Sequence, residues 1–82
     1  MKQPIDKVRI SIHPMKDPIP TPDACYVDVE ILFDDHWWSE AGRNFHLTPG
    51  ENRKRAEAWA RAEAAALAEH YDFAPDALEL YL

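Results

Sequence analysis

Eighty-two residues, nine basic side chains against fifteen acidic ones (net charge −6) and a single cysteine leave room for one domain without an internal disulfide. A chain this short buries roughly 60–65% of its unfolded surface, which leaves a thin core and little depth for a large preorganised cavity. No apolar run approaches the ~20 residues of a membrane span and Met1-Lys2-Gln3-Pro4 holds no apolar signal block, so a soluble, cytoplasmic protein in a reducing compartment is expected.

Lys7 to Ile12 alternates, with Val8, Ile10 and Ile12 on one side and Lys7, Arg9 and Ser11 on the other, the pattern of a half-buried strand. His13 to Asp23 carries Pro14, Pro18, Pro20 and Pro22, which favours an extended, polyproline-like loop. Ala24 to Phe33 is the clearest strand. Cys25, Val27, Val29, Ile31 and Phe33 share one face, and Tyr26, Asp28, Glu30 and Leu32 the other. Antiparallel pairing of these two strands puts Lys7 and Arg9 on the same face as Asp28 and Glu30, where opposite charges attract across the sheet. Asp34-Asp35-His36 reads as a turn. A weaker strand follows and ends in Arg43-Asn44-Phe45-His46-Leu47, with Gly42 marking either a bulge or a second turn.

Thr48-Pro49-Gly50-Glu51 matches a capping box with proline at the first helical position, so a helix is expected from about Pro49 to about Tyr71. Ala56, Ala60, Ala64, Leu67 and Tyr71 form its buried stripe, with Trp59, Ala62 and Ala66 beside it. Arg53, Lys54 and Arg55 sit at the positive end of the helix dipole and Glu63 and Glu69 towards the negative end. Both placements oppose the dipole, which leaves alanine propensity and packing to hold the helix. Leu78, Leu80 and Leu82 alternate with Ala77, Glu79 and Tyr81, as a short final strand or a helical turn would.

The sum is one α+β domain over residues 1–82: a three-stranded antiparallel meander, one long helix in the C-terminal half packed on one face, and a short final strand (β-β-β-α-β). Its expected core joins Ala56, Ala60, Ala64 and Leu67 to Val8, Ile10, Ile12, Val27, Val29, Ile31, Phe33, Phe45 and Leu47. The opposite sheet face is left open.

Chemistry-bearing motifs are sparse. His13, His36, His46 and His70 match no zinc or catalytic spacing, and Asp34-Asp35-His36 lacks the converging oxygens of a calcium or magnesium site, so neither a metal nor a cofactor is expected. With Ser11 and Ser39 as the only serines and Gly42 and Gly50 as the only glycines, there is neither a nucleophile elbow nor a phosphate-cradling loop. The expectation is therefore a non-enzymatic protein. From Asp17 to Glu40 the charges are all negative, through Asp23, Asp28, Glu30, Asp34 and Asp35. Trp37-Trp38 lies within this run. Adjacent strand residues face opposite sides, so one indole is expected to be buried and the other to lie on the open face or rim; the alternative is that both pack at the sheet edge with Trp59. Tyr26, Asp28, Glu30, Asp34, Asp35, Trp37, Trp38 and Glu40 form the candidate protein-binding surface, with a tryptophan ringed by acids as its anchor.

The competing candidate is basic: Arg43 with Arg53, Lys54 and Arg55 at a helix start, placed to meet an anion. A strand, a short loop and Arg53-Lys54-Arg55-Ala56-Glu57 opening an alanine-rich helix resembles the final third of double-stranded-RNA-binding domains over residues 43–68. That resemblance implies phosphate contacts from the basic cluster. The family's first helix has no counterpart, and Glu57 stands where a basic residue is expected. A looser similarity is to antitoxins with a three-stranded sheet and one helix, which implies a small basic toxin as partner. The size, acidity and lack of catalytic residues also look like the small inhibitors of phages and mobile elements, some of which block CRISPR or restriction complexes by covering nucleic-acid-binding surfaces. The leading expectation is thus an acidic inhibitor or adaptor that docks on a basic patch of a larger protein, such as a nucleic-acid-binding complex. Nucleic acid itself is the alternative, no membrane partner is implied, and exposed sheet edges allow a homodimer.

Overall fold

The computed structural model describes residues 1–15 and 22–82. The proline-rich stretch expected between the first two strands falls largely on residues 16–21, outside the described residues. A two-residue strand β1 (Gln3–Pro4) precedes β2 (Lys7–Pro14), β3 (Cys25–Phe33) and β4 (His36–Phe45). Helix α1 (Asn52–His70) then leads into β5 (Tyr71–Asp72), a single 3-10 turn over Pro75–Ala77, and β6 (Leu78–Tyr81). The fold is α+β, as the alternation implied: β2, β3 and β4 form an antiparallel meander, one helix packs on it, and a short strand closes the chain. That last strand lies beside β2 and parallel to it, with Val8 opposite Leu78, so the sheet order is β4-β3-β2-β6. β1 and β5 make a separate parallel ladder, Gln3 opposite Tyr71.

Register explains the core. Ile10 faces Val29 and Val8 faces Ile31, so the apolar positions of both strands fall on one side of the pleat. Val8, Ile10, Cys25, Val27, Val29, Ile31 and Phe45 are buried there against Ala56, Ala60 and Leu67 of α1, with Ile5 closing the group and Ile12 and Ala64 half-buried at its margin. Alanine at the contact positions lets the helix axis approach the sheet closely. Two residues expected inside are outside. Phe33, the last residue of β3 before the hairpin turn, is 39% exposed. Leu47 follows β4 where the chain has already left the sheet, and it is 82% exposed.

The helix starts three residues later than its capping signature suggests. Thr48 to Glu51 close a turn in which the Glu51 N–H donates to the Thr48 carbonyl at 2.9 Å, and Gly50 supplies the positive φ of +84°. Glu51 stands at the N-cap position without a side-chain capping bond. The cap comes from elsewhere in the chain. Asp23, just before β3, accepts from the Asn52 N–H and from the Asn52 side-chain amide, both at 3.1 Å. The Asn52 carbonyl oxygen Oδ1 in turn accepts from the Thr48 N–H and hydroxyl, each at 3.0 Å. Asn52 is fully buried, a polar knot between sheet and helix.

A carboxylate thus sits at the positive end of the dipole. At the other end Lys2 donates to the Ala68 carbonyl at 2.8 Å. The helix's own charges oppose its dipole, but residues from outside the helix complement it at both ends, so propensity and packing do not hold it alone.

Candidate functional site

The side of the sheet away from α1 carries no described element across it. Its side chains engage one another. Arg9 and Glu30 are directly opposite and form an ion pair at 3.3 Å. The Arg9 guanidinium also lies 4.0 Å from the Trp37 ring centroid, which half-buries that indole on the open face. Further along, His13 stacks on Tyr26 with centroids 4.9 Å apart, and its Nε2 lies 2.9 Å from Ser11 Oγ and 3.6 Å from Asp28 Oδ2. The spacing of Ser11 and His13, two apart in a strand, is the signal for this contact: such residues share a face. Serine and aspartate address the same ring nitrogen, so the three do not form a relay with aspartate orienting the far nitrogen.

The eight expected protein-binding residues therefore separate into groups. Tyr26, Asp28, Glu30 and Trp37 lie on the open face, where Arg9 and His13 neutralise or contact the acids. Asp34, Asp35 and Trp38 lie at the tip of the β3–β4 hairpin. Glu40 belongs to neither group. Ser39 pairs with Glu30 and Ala41 with Val29, so Glu40 is the extra residue of a β-bulge, turned to the helix side and bonded to Tyr71. The irregularity flagged by Gly42 sits two residues before it.

The hairpin tip has the geometry of a contact surface. Asp34 and Asp35 form its two-residue turn with φ of 55° and 60°, left-handed at both positions as a type I′ turn demands. Neither carboxylate takes part in an ion pair among the described residues. Trp38 is 52% exposed; its indole N–H donates to the Phe33 carbonyl at 3.2 Å, and its ring meets His36 edge-on at 4.6 Å. Contrary to expectation, neither tryptophan of the pair enters the core: Trp37 is held half-buried under Arg9 and Trp38 stands at the tip. Trp59 packs instead on Phe45, at the far end of β4.

The basic candidates separate as well. Arg43, at the far end of β4, and Arg55, on the first turns of α1, line one cleft of about 110 Å³ together with His46, Leu47 and Thr48. Arg43 lies over the Phe45 ring at 5.1 Å, and no ion pair among the described residues involves Arg43 or Arg55. Arg53 turns away, pairing with Glu57 at 3.4 Å and donating to the Leu82 carbonyl oxygen. Lys54 is exposed and lines none of this cleft.

Two further groups are tuned by burial. The Cys25 thiol is pushed up from its ordinary value of 9.0, chiefly by burial, against the pull of nearby Arg53. The Tyr71 phenol is raised from 10.0 by burial and by the Glu40 carboxylate beside it. Among the described residues no three histidine, cysteine or acidic side chains gather as metal ligands would, and no helix is long and apolar enough to cross a membrane. Comparisons with protein-family models, with curated proteins and with solved structures find no match.

Proposed function

We propose that this protein is a non-enzymatic interaction module, acting in the cytoplasm, whose hairpin tip docks on a basic patch of a larger protein. The observation that carries this reading is the pairing of an exposed indole, Trp38, with two carboxylates, Asp34 and Asp35, that form no ion pair among the described residues. An aromatic anchor flanked by free acids matches a cationic, partly apolar surface, such as the nucleic-acid-binding face of another protein. The open-face acids contribute less, because Arg9 and His13 already engage them. Occupying such a face would make the protein an inhibitor or adaptor.

Poly-lysine serves as a cationic probe, with binding read by tryptophan fluorescence at low and high salt. Binding that weakens as salt rises and disappears in Asp34→Lys with Asp35→Lys supports the reading. Affinity insensitive to salt, or unchanged in that variant, removes it. Arg43 and Arg55, which line one cleft and form no ion pair among the described residues, support a second reading, nucleic-acid binding. A gel shift with duplex RNA or DNA that Arg43→Ala with Arg55→Ala abolishes would favour it.

A further inference from the structure

β4 is one of the two edge strands of the sheet, the other being the short β6, and no described element pairs with its outer side. β4 is ten residues long, on the order of 30 Å, and contains neither proline nor lysine; of the usual edge guards it carries the bulge at Glu40, with that charge turned inward, which divides the edge into two halves. Charge is distributed along this edge with a clear polarity. Immediately before the strand starts stand Asp34 and Asp35, with Phe33 and Trp38 exposed beside them. At its other end Arg43 and Arg55 share a cleft with the exposed Leu47. None of these four charged residues forms an ion pair within the described chain. One end is acidic and aromatic, the other basic and apolar, and neither end's charges are neutralised by an ion pair among the described residues.

An object with this polarity is complementary to itself when turned end for end. We infer that the outer edge of β4 is the docking surface for a second copy of this chain, the two β4 strands running antiparallel. The Asp34–Asp35 tip of each copy then meets the Arg43–Arg55 cleft of the other. Antiparallel edge pairing about a two-fold axis perpendicular to the sheet makes the contact isologous, so the charge match occurs twice. It joins two four-stranded sheets into one layer and keeps both helices on the same side. The bulge at Glu40 lies near the midpoint of the strand, so each half of β4 faces the opposite half of its neighbour across it. Trp38 is carried towards the Phe45–Leu47 end of the second copy, where apolar surface is exposed. This inference rests on the reading of the hairpin tip as a surface for cations, and it names the cation-bearing partner available to every copy.

The test is reciprocal charge reversal on the full chain, with molar mass read by light scattering at low salt. Wild type is expected at twice the 9.5 kDa of one chain. Asp34→Lys with Asp35→Lys places like charges at both contacts, and so does Arg43→Glu with Arg55→Glu. Each variant alone is expected to dissociate, its dimer constant weakened by about tenfold or more. Mixed in equal amounts, the two variants restore both contacts and the doubled mass returns, an outcome available only to folded chains. Should a reversal variant fail to fold, Asp34→Asn with Asp35→Asn, which keeps the turn, must still weaken the dimer. A wild type of single-chain mass at every concentration, a dimer indifferent to both reversals, or a mixture that stays dissociated would each overturn the inference. Poly-lysine binding by a strictly monomeric wild type would overturn the dimer and leave the docking surface standing. Neither poly-lysine binding nor a dimer would overturn both.

Discussion

Removing the Asp23 carboxylate tests how the two halves of the fold are joined. Asp23 accepts two hydrogen bonds from Asn52, one from the first backbone N–H of α1 and one from the side-chain amide, both at 3.1 Å. Asn52 has no solvent exposure, so Asp23→Ala removes both of these bonds where water does not replace them. A lost N-cap alone costs ~0.5–2 kcal/mol, and a buried donor left unsatisfied costs ~1–3 kcal/mol. These figures overlap, because one of the two donors is the cap itself. The expected destabilisation is therefore about 2–3 kcal/mol, a large share of the stability of so small a domain. Urea unfolding followed by far-ultraviolet circular dichroism and by tryptophan fluorescence should show the midpoint fall at nearly constant slope, and heating should show Tm lower by on the order of 10 °C or more. Asp23→Asn keeps an acceptor and loses the charge, so it should fall between wild type and alanine. An Asp23→Ala protein within about 0.5 kcal/mol of wild type, the usual range for an uninvolved surface position, would refute the claim that this carboxylate caps the helix.

Ala60→Leu should destabilise by ~1–3 kcal/mol in the same assay, because Ala60 is fully buried between helix and sheet, whereas Ala62→Leu on the exposed face should be near neutral. Asp35→Gly should raise stability by about 1 kcal/mol, since a left-handed φ costs glycine little; unchanged or lower stability would contradict the turn geometry. Tyr71 has a folded-state pKa above its ordinary 10.0, so the folded state holds the phenolic proton more tightly than the unfolded chain does. Its contribution is complete below pH 10 and is lost as pH rises through the folded value. Alkaline denaturation above pH 10 should accordingly be shallower in Tyr71→Phe than in wild type.

Much of this fold was legible because period two and period 3.6 are local signals. The β2–β3–β4 meander and the body of α1 follow from alternation and from the alanine stripe. The start of the helix was not legible. Thr48-Pro49-Gly50-Glu51 has the spacing of a capping box, but Gly50 turns the backbone into the left-handed region and Thr48 bonds to Asn52 instead. The true cap, Asp23, is distant in sequence and carries no local mark. Asparagine is mostly found on surfaces yet Asn52 is buried, and Leu47 reads as core and is exposed, because neighbouring elements decide burial, not residue type alone. Within the candidate site, the acids and the tryptophan pair were visible. Which acids the protein neutralises itself was only partly so, since Arg9 opposite Glu30 follows from pairing while His13 near Asp28 depends on ring orientation. The parallel placement of β6 has no signature in alternation, which shows a strand's faces and not its neighbour.

That placement bears on synthesis. Val8 pairs with Leu78, so the outer side of β2 stays bare until nearly all of the described chain has left the ribosome. A nascent chain that already holds the meander exposes the eight-residue flank of β2 where the finished sheet presents only the four-residue β6, and a cell with many copies in translation would have to keep those longer flanks apart until β6 covers them.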